Sequence, residues 1–275
     1  MPELPEVETT RKGIDAVATG KVLQRMVIHD ARMRWPIPSG LPEWVKGQRV
    51  NACRRRGKYL LLEFDQGTQL IHLGMSGSLR SVRCSKCHST WSCLRSISPI
   101  WTLRLHDPRR FGAVLWHPAK DGPVEQHPLL QKLGIEPFDP HFDAEHLRKG
   151  FKGRQMAIKQ ALLAGDVVVG AGNIYASECL FRAKIHPATP AARLSLERCA
   201  RLAAALRSTL TDALESGGST LRDYVNATGE AGAYFTTHAA VYEQDGKPCK
   251  TCSRLIKRIV QGQRATYYCP SCQKR

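Results

Sequence analysis

The chain has 275 residues, enough for one large or two medium domains with a buried core. Its 41 Lys and Arg against 24 Asp and Glu leave a formal charge of +17, which points to a polyanionic partner, because every phosphate neutralised releases counterions. No apolar run reaches the roughly 18 residues of a membrane span, and the acidic start Met-Pro-Glu-Leu-Pro-Glu excludes a signal peptide, which needs a basic start and then an apolar run. The expected place is the cytosol, with no membrane partner. Thiols stay reduced there, so the ten cysteines suggest metal ligation or simple burial before disulfides.

In chain order, residues 5–19 read as a helix, with Glu6 and Glu8 in its first turn, Ile14 and Val17 on an apolar side, and Gly20 to end it. Short strand-like runs follow at 22–29, 49–53, 59–64, 69–73, 103–105 and 113–116, separated by turn residues such as those at 36–42 and 65–67. Successive strands without intervening helices predict an antiparallel sandwich or barrel. The texture changes near residue 139. Helical patterns appear at 144–149, 157–163 and 174–181. A longer helix carries Leu196, Cys199, Leu202, Leu206, Leu210 and Leu214 and stops at Gly217-Gly218. The expectation is an α+β chain: a β-rich domain over 1–130, a hinge near 129–140, a helical domain over 139–238, and a small metal-bound hairpin over 239–275.

That hairpin rests on two pairs, Cys249-x2-Cys252 and Cys269-x2-Cys272, separated by 16 residues. Four thiolates fill a tetrahedral Zn2+ shell and leave no position for water, so one structural zinc ion is expected, not a catalytic one. Between the pairs lie Arg254, Lys257, Arg258 and Arg264, a cationic hairpin suited to a DNA groove or backbone, or simply a solvated basic face.

The other chemical feature is the start of the chain. Aminopeptidase removal of Met1 would leave Pro2 with a free secondary amine. An α-amino group titrates near ~8, well below lysine, so more of it is neutral and nucleophilic at neutral pH. Glu3 beside it, and Glu6 one turn on, are candidate proton donors. On these residues alone a proline that merely starts a helix, with acids suited to its dipole, is the better fit.

A set of longer motifs bears on that choice. M-P-E-L-P-E-V-E-T at the start, G-K-Y-L-L at 57–61, H-L-G-M-S-G at 72–77, D-P-R-R-F-G at 107–112, V-G-A-G-N-I-Y-A-S-E at 169–178, Q-R-A-T at 263–266 and the four-cysteine finger occur in this order. Together they resemble the formamidopyrimidine-DNA glycosylases over 1–80 and about 102–275. The resemblance implies an N-terminal β-sandwich domain, then a helix–two-turn–helix domain with the zinc-finger hairpin. It implies a bacterial base excision repair glycosylase and AP lyase that removes oxidised purines (8-oxoguanine, formamidopyrimidines) from damaged double-stranded DNA and acts as a monomer.

By the same resemblance Pro2 is the Schiff-base nucleophile, Glu3 the general acid, Lys58 a strand-borne proton donor in β-elimination, and Arg264 the finger arginine of δ-elimination. Base flipping leaves a gap in the stack. Met75, Arg109 and Phe111 match the residues that fill it, as two apolar wedges and a hydrogen-bond donor. Arg154 and Asn173 match DNA-backbone contacts, and residues 217–234 a lesion-capping loop.

Residues 82–100 depart from the family pattern: Cys84, Cys87, His88 and Cys93 stand where relatives carry a His-Asp-His-like motif. Compensating frame changes in the gene would explain matching flanks around an unmatched stretch. Cys84-x2-Cys87-His88 lacks a nearby second pair, so no second metal site is expected. Two alternative readings are an endonuclease VIII-like glycosylase for oxidised pyrimidines and a non-catalytic zinc-finger DNA-binding protein. The first usually starts M-P-E-G-P-E and lacks the R-F-G wedge.

Overall fold

The computed structural model describes residues 2–83, 94–97, 101–219, 227–229 and 232–275. The chain forms two compact units, residues 1–131 with 216–233 and residues 132–215 with 234–275. The stretch 216–233, expected with the helices, thus packs with the N-terminal unit. The finger residues pack with the helices and do not form a separate unit. Among the described residues no helix is long and apolar enough to cross a membrane.

The first unit begins with α1 (Leu4–Ala18), which a proline and a Glu3–Glu6 capping box start. Leu4, Val7, Ile14 and Ala18 give it a buried face. β1 (Arg25–Ile28), a short helix α2 (Leu41–Val45), and β2 (Ala52–Arg56) come next. The strands β3 (Tyr59–Phe64), β4 (Gly67–His72), β5 (Ser78–Arg83), β6 (Leu94–Ile97), β7 (Trp101–His106) and β8 (Ala113–Pro118) complete it. They make two four-stranded antiparallel sheets, ordered β1-β6-β7-β5 and β2-β3-β4-β8. Met26, Leu79 and Leu105 of the first sheet and Leu60, Leu62, Ile71 and Val114 of the second share one core with Val7 and Ile14 of α1. This is the sandwich the alternating strands predicted.

Four elements differ from the sequence reading. Residues 49–53 do not form one strand: Arg49 makes only an isolated bridge with Val22, and β2 starts at Ala52, where pairing with β3 begins. The stretch 36–42 holds the first turn of α2, because Pro42 sits where a helix needs no N–H. β5 and β6 were not predicted. β6 lies inside the atypical 82–100 stretch, yet its backbone pairs with both β1 and β7. Cys84, Cys87, His88 and Cys93 lie outside the described residues.

The second unit holds α3 (Ala144–Phe151), α4 (Ile158–Ala164), α5 (Asn173–Arg182), α6 (Leu196–Glu215), a one-turn α7 (Tyr234–Thr237), and the hairpin of β9 (Lys257–Gln261) with β10 (Arg264–Tyr268). Cys199, Leu202, Leu206 and Leu210 are fully buried on α6, as their spacing predicted, whereas Leu196 at its first turn is 41% exposed and Leu214 is half-buried. Glu178 of α5 is also fully buried. It accepts the backbone N–H groups of Ala240, Val241 and Tyr242 at 2.9, 3.0 and 2.8 Å, which ties the chain entering the finger to α5. Burial pushes this carboxyl above its ordinary range, and the three donors pull it back. Glu178→Leu should therefore strand three N–H groups and cost about 3 kcal/mol or more. Urea unfolding checks this, and a midpoint equal to wild type would show the clamp to be dispensable.

Candidate active site and nucleic-acid interface

Pro2, Glu3 and Glu6 are all buried at the start of α1. The Glu6 carboxylate accepts two backbone N–H groups at once, that of Glu3 at 2.7 Å and that of Ser219 at 2.7 Å. One side chain thereby fixes the backbone beside Pro2 and the beginning of the 217–234 loop. The approach is close: a Cβ added at Gly218, which has φ +87°, would lie 3.0 Å from Glu6 Oε1. Two bonds strap α1 to β2: Arg11 Nη1 donates to the Cys53 carbonyl at 3.0 Å, and Arg55 Nε donates to Glu8 at 2.9 Å.

Lys58 does not lie within a strand. Arg56 pairs with Tyr59, so Gly57 and Lys58 form the two-residue turn between β2 and β3, and Gly57 supplies the positive φ such a turn needs. Lys58 therefore stands at a hairpin tip, beside His72. Burial, then the charges of Lys58 and Arg34, lower the His72 imidazole to about 4. The neutral ring packs on Tyr59 with centroids 4.9 Å apart, and its Nδ1 accepts the Gly74 N–H at 3.0 Å.

Gly74 begins the turn that carries Met75. It has φ +63°, and a Cβ there would lie 2.4 Å from the Gly112 nitrogen, so this turn touches the loop that carries Arg109 and Phe111. Asp107, 1% exposed, pins both: it accepts from the Gly112 N–H at 2.7 Å and from the Ser76 hydroxyl at 3.3 Å. Met75 and Phe111 stay 44% and 47% exposed on these pinned loops, and the Arg109 guanidinium lies over the Phe111 ring at 5.4 Å. Large apolar side chains held outward on a buried polar support fit insertion into a base stack. Asp107→Ala should slow excision of a stacked lesion by roughly 10- to 100-fold, because base flipping needs the gap filled. Cutting at a preformed abasic site should slow less. Single-turnover assays on both duplexes check this, and equal losses would mean the aspartate supports the whole unit instead.

In the second unit, Arg264 is exposed at the start of β10, next to the Gly262-Gln263 turn. Lys159, fully buried, donates to the Ala265 carbonyl at 3.2 Å and the Thr266 hydroxyl at 2.9 Å. Asn173 Nδ2 donates to Ala265 O at 3.1 Å and Tyr242 Oη at 3.2 Å. Lys159 on α4 and Asn173 at the start of α5 thus brace the hairpin beside Arg264. The amide hydrogens of Asn173 are turned inward, toward the finger, rather than outward. Arg154 is committed to Asp166 at 2.9 Å, which holds that carboxyl below its usual range.

Asp107, His72, Lys159 and Glu178 had no assigned part in the sequence reading. His72, Asp107 and Glu178 sit inside motifs already singled out, and Lys159 inside the helical run at 157–163. A charged or polar residue embedded in a glycine-rich or apolar run was the available signal.

The sulfurs of Cys249, Cys252, Cys269 and Cys272 lie within 4.8 Å of one another. Tetrahedral bonds of about 2.3 Å place sulfurs about 3.8 Å apart, and the Cys249–Cys272 and Cys252–Cys269 separations are 3.9 and 3.4 Å. Backbone N–H groups of Thr251 and Cys272 donate to Cys249 and Cys269 Sγ, both at 3.4 Å, and that of Arg254 lowers the Cys252 thiol to about 6. The residues fit one structural zinc ion. No disulfide forms among the described cysteines.

Comparison with known proteins agrees with this geometry. Sequence models for the formamidopyrimidine-DNA glycosylase N-terminal domain, the formamidopyrimidine-DNA glycosylase H2TH domain, and a zinc finger found in FPG and IleRS match residues 1–114, 133–225 and 246–275. The formamidopyrimidine-DNA glycosylase of Bordetella petrii is 65% identical over 275 residues, covering all of both chains. The crystal structure of the MutM (Fpg) protein of Thermus thermophilus superposes with a TM-score of 0.86 at 37% identity, covering 99% of this chain and 98% of that one. A Lactococcus lactis FPG mutant in complex with Fapy-dG containing DNA superposes with a TM-score of 0.91 at 29% identity, covering all of both chains. With three domain models matched in order and a full-length relative at this identity, the chain belongs to the formamidopyrimidine-DNA glycosylase family.

Proposed function

We propose that the chain binds damaged double-stranded DNA, excises oxidised purines such as 8-oxoguanine and formamidopyrimidines, and then cuts the strand by β- and δ-elimination. The observation that carries this is the Glu6 carboxylate, which holds the start of α1 and the 217–234 loop together around Pro2. A proline that only starts a helix would not need a second backbone segment on the same buried acid.

In this reading Met75, Arg109 and Phe111 enter the stack as the damaged base leaves it. The Pro2 amine attacks C1′ and sheds its proton as the glycosidic bond breaks and Glu3 protonates the departing base; the C1′–O4′ bond then opens, O4′ takes up a proton, and C1′ is left doubly bonded to the proline nitrogen. The resulting iminium acidifies C2′. Loss of that proton expels the 3′ phosphate, and a further elimination expels the 5′ phosphate, with Lys58 and Arg264 assisting. Arg154 and the first turn of α5 hold the backbone, and Arg154 must leave Asp166 to do so. The zinc ion shapes the finger and takes no part in these steps. The formal charge of +17 suits nucleoid DNA as the partner, and a monomer in the bacterial cytoplasm is the reading that goes with it.

Excision rates on 8-oxoguanine opposite cytosine and on thymine glycol, measured side by side, test the substrate class. The oxidised purine should be removed faster. Faster removal of thymine glycol would replace this reading with the oxidised-pyrimidine one.

A further inference from the structure

A second cationic region lies in the unit that carries the finger, away from the residues assigned to the lesion strand. Lys184, Arg198, Arg201, Lys274 and Arg275 line an open pocket of about 580 Å3, joined by the exposed Ser271. Ser271 also lines an adjoining pocket of about 530 Å3 with Arg254 and Lys257, so the positive surface continues along the base of the finger.

The pocket is held in shape from inside. Arg198 Nη2 donates to the Lys274 carbonyl at 3.1 Å, and Arg201 Nε to the Ala183 carbonyl at 3.3 Å. Among the described residues only Arg201 of these five has an ion-pair partner, Glu197. Burial and the charge of Arg201 together hold the Arg198 guanidinium below its ordinary value, as expected where cations crowd without enough anions.

Position separates this pocket from the proposed lesion contacts. Asn173 begins α5 and Lys184 follows its end, so at about 1.5 Å per residue they lie roughly 16 Å apart along the helix. Arg264 begins β10, whereas Ser271 follows its far end. A five-residue strand rising about 3.3 Å per residue puts its two ends roughly 13 Å apart. Both elements carry the pocket away from Asn173 and Arg264 in the same unit.

We propose that this pocket is a second, sequence-independent site for a phosphodiester backbone, with which the protein holds an undamaged duplex while the lesion site is filled. Two adjoining open pockets lined by cations, of which only Arg201 in the first is ion-paired, with the hydroxyls of Thr251 and Ser271 beside them, suit a chain of phosphates more than a single small anion. Such a site lets the protein pass between DNA segments without first becoming free.

The test loads the full-length zinc protein onto an unlabelled lesion duplex, fixes it with borohydride, and titrates a fluorescent undamaged duplex by anisotropy. The trapping yield reports on the glycosylase reading and the second titration on the pocket, so each can fail alone. Wild type should bind the second duplex, and raised salt should weaken that binding. Lys184→Glu with Lys274→Glu should weaken it by about tenfold or more, with unchanged trapping, whereas Lys184→Arg with Lys274→Arg should bind like wild type. The proposal is overturned if no second duplex binds, or if the glutamate pair binds as well as wild type. It is likewise overturned if millimolar pyrophosphate binds the trapped protein but undamaged duplex does not.

Discussion

Blocking the amine of Pro2, by acetylation or by one extra residue ahead of it, should abolish borohydride trapping and slow strand cleavage by at least about 10³-fold, because a positioned intramolecular nucleophile is worth that much or more. The size follows from what the site lacks once the amine is gone. Glu3 and Glu6 can move protons, but neither can become the iminium that acidifies C2′. Pro2→Gly is the gentler companion: it keeps an amine but loses the ring that fixes the backbone before Glu3, so trapping should fall without vanishing. Affinity for undamaged duplex should survive in both, since the phosphate contacts lie elsewhere. Below about pH 8, trapping by the free chain should rise with pH as an α-amino group sheds its proton. Mass spectrometry of the reduced conjugate locates the bond, and a linkage on Lys58 would remove Pro2 from the chemistry.

The parts of this site that were legible in the sequence are those whose chemistry is local. Two cysteine pairs on a hairpin announce a metal site by spacing alone, and the leucines of α6 announce a buried face by period. Pro2 was readable as an amine, but its neighbourhood was not. The bond from Glu6 to Ser219 joins positions 213 residues apart, and nothing in the local pattern of either segment requires it. Lys58 is called strand-borne only by the resemblance; the strand runs read at 49–53 and 59–64 leave it between them, and the pairing of Arg56 with Tyr59 puts it in the turn that joins β2 to β3. Asp107 reads as one acid in a polar loop until its two partners are known. β5 and β6 escaped notice because their sequences, SLRSVR and LRSI, alternate weakly and owe their place in the sheet to β1 and β7.

Removing the zinc ion, by chelation or by Cys269→Ser, should unfold the finger and abolish cleavage of lesion duplex. Structural zinc of this kind contributes on the order of 10 kcal/mol to folding, and the local core has little to replace it. That core comprises Val241, Ile256 and Tyr267 packed against the cysteines themselves, with Cys269 fully buried. A thiol left there without a metal crowds three others, which favours opening. The consequence reaches past the cysteines, because β10 carries Arg264 and its neighbours Ala265 and Thr266 bind Lys159 and Asn173. Opening the hairpin frees a buried ammonium on α4 and removes the partner that turns Asn173 inward. Arg264 and Asn173 then lose their shared support together. The sandwich of the first unit has its own core and should keep its near-ultraviolet signature. Metal analysis should return one zinc per chain before chelation, and duplex affinity should fall in step with its loss. Full cleavage by a metal-free chain would show that the finger's fold does not depend on the ion.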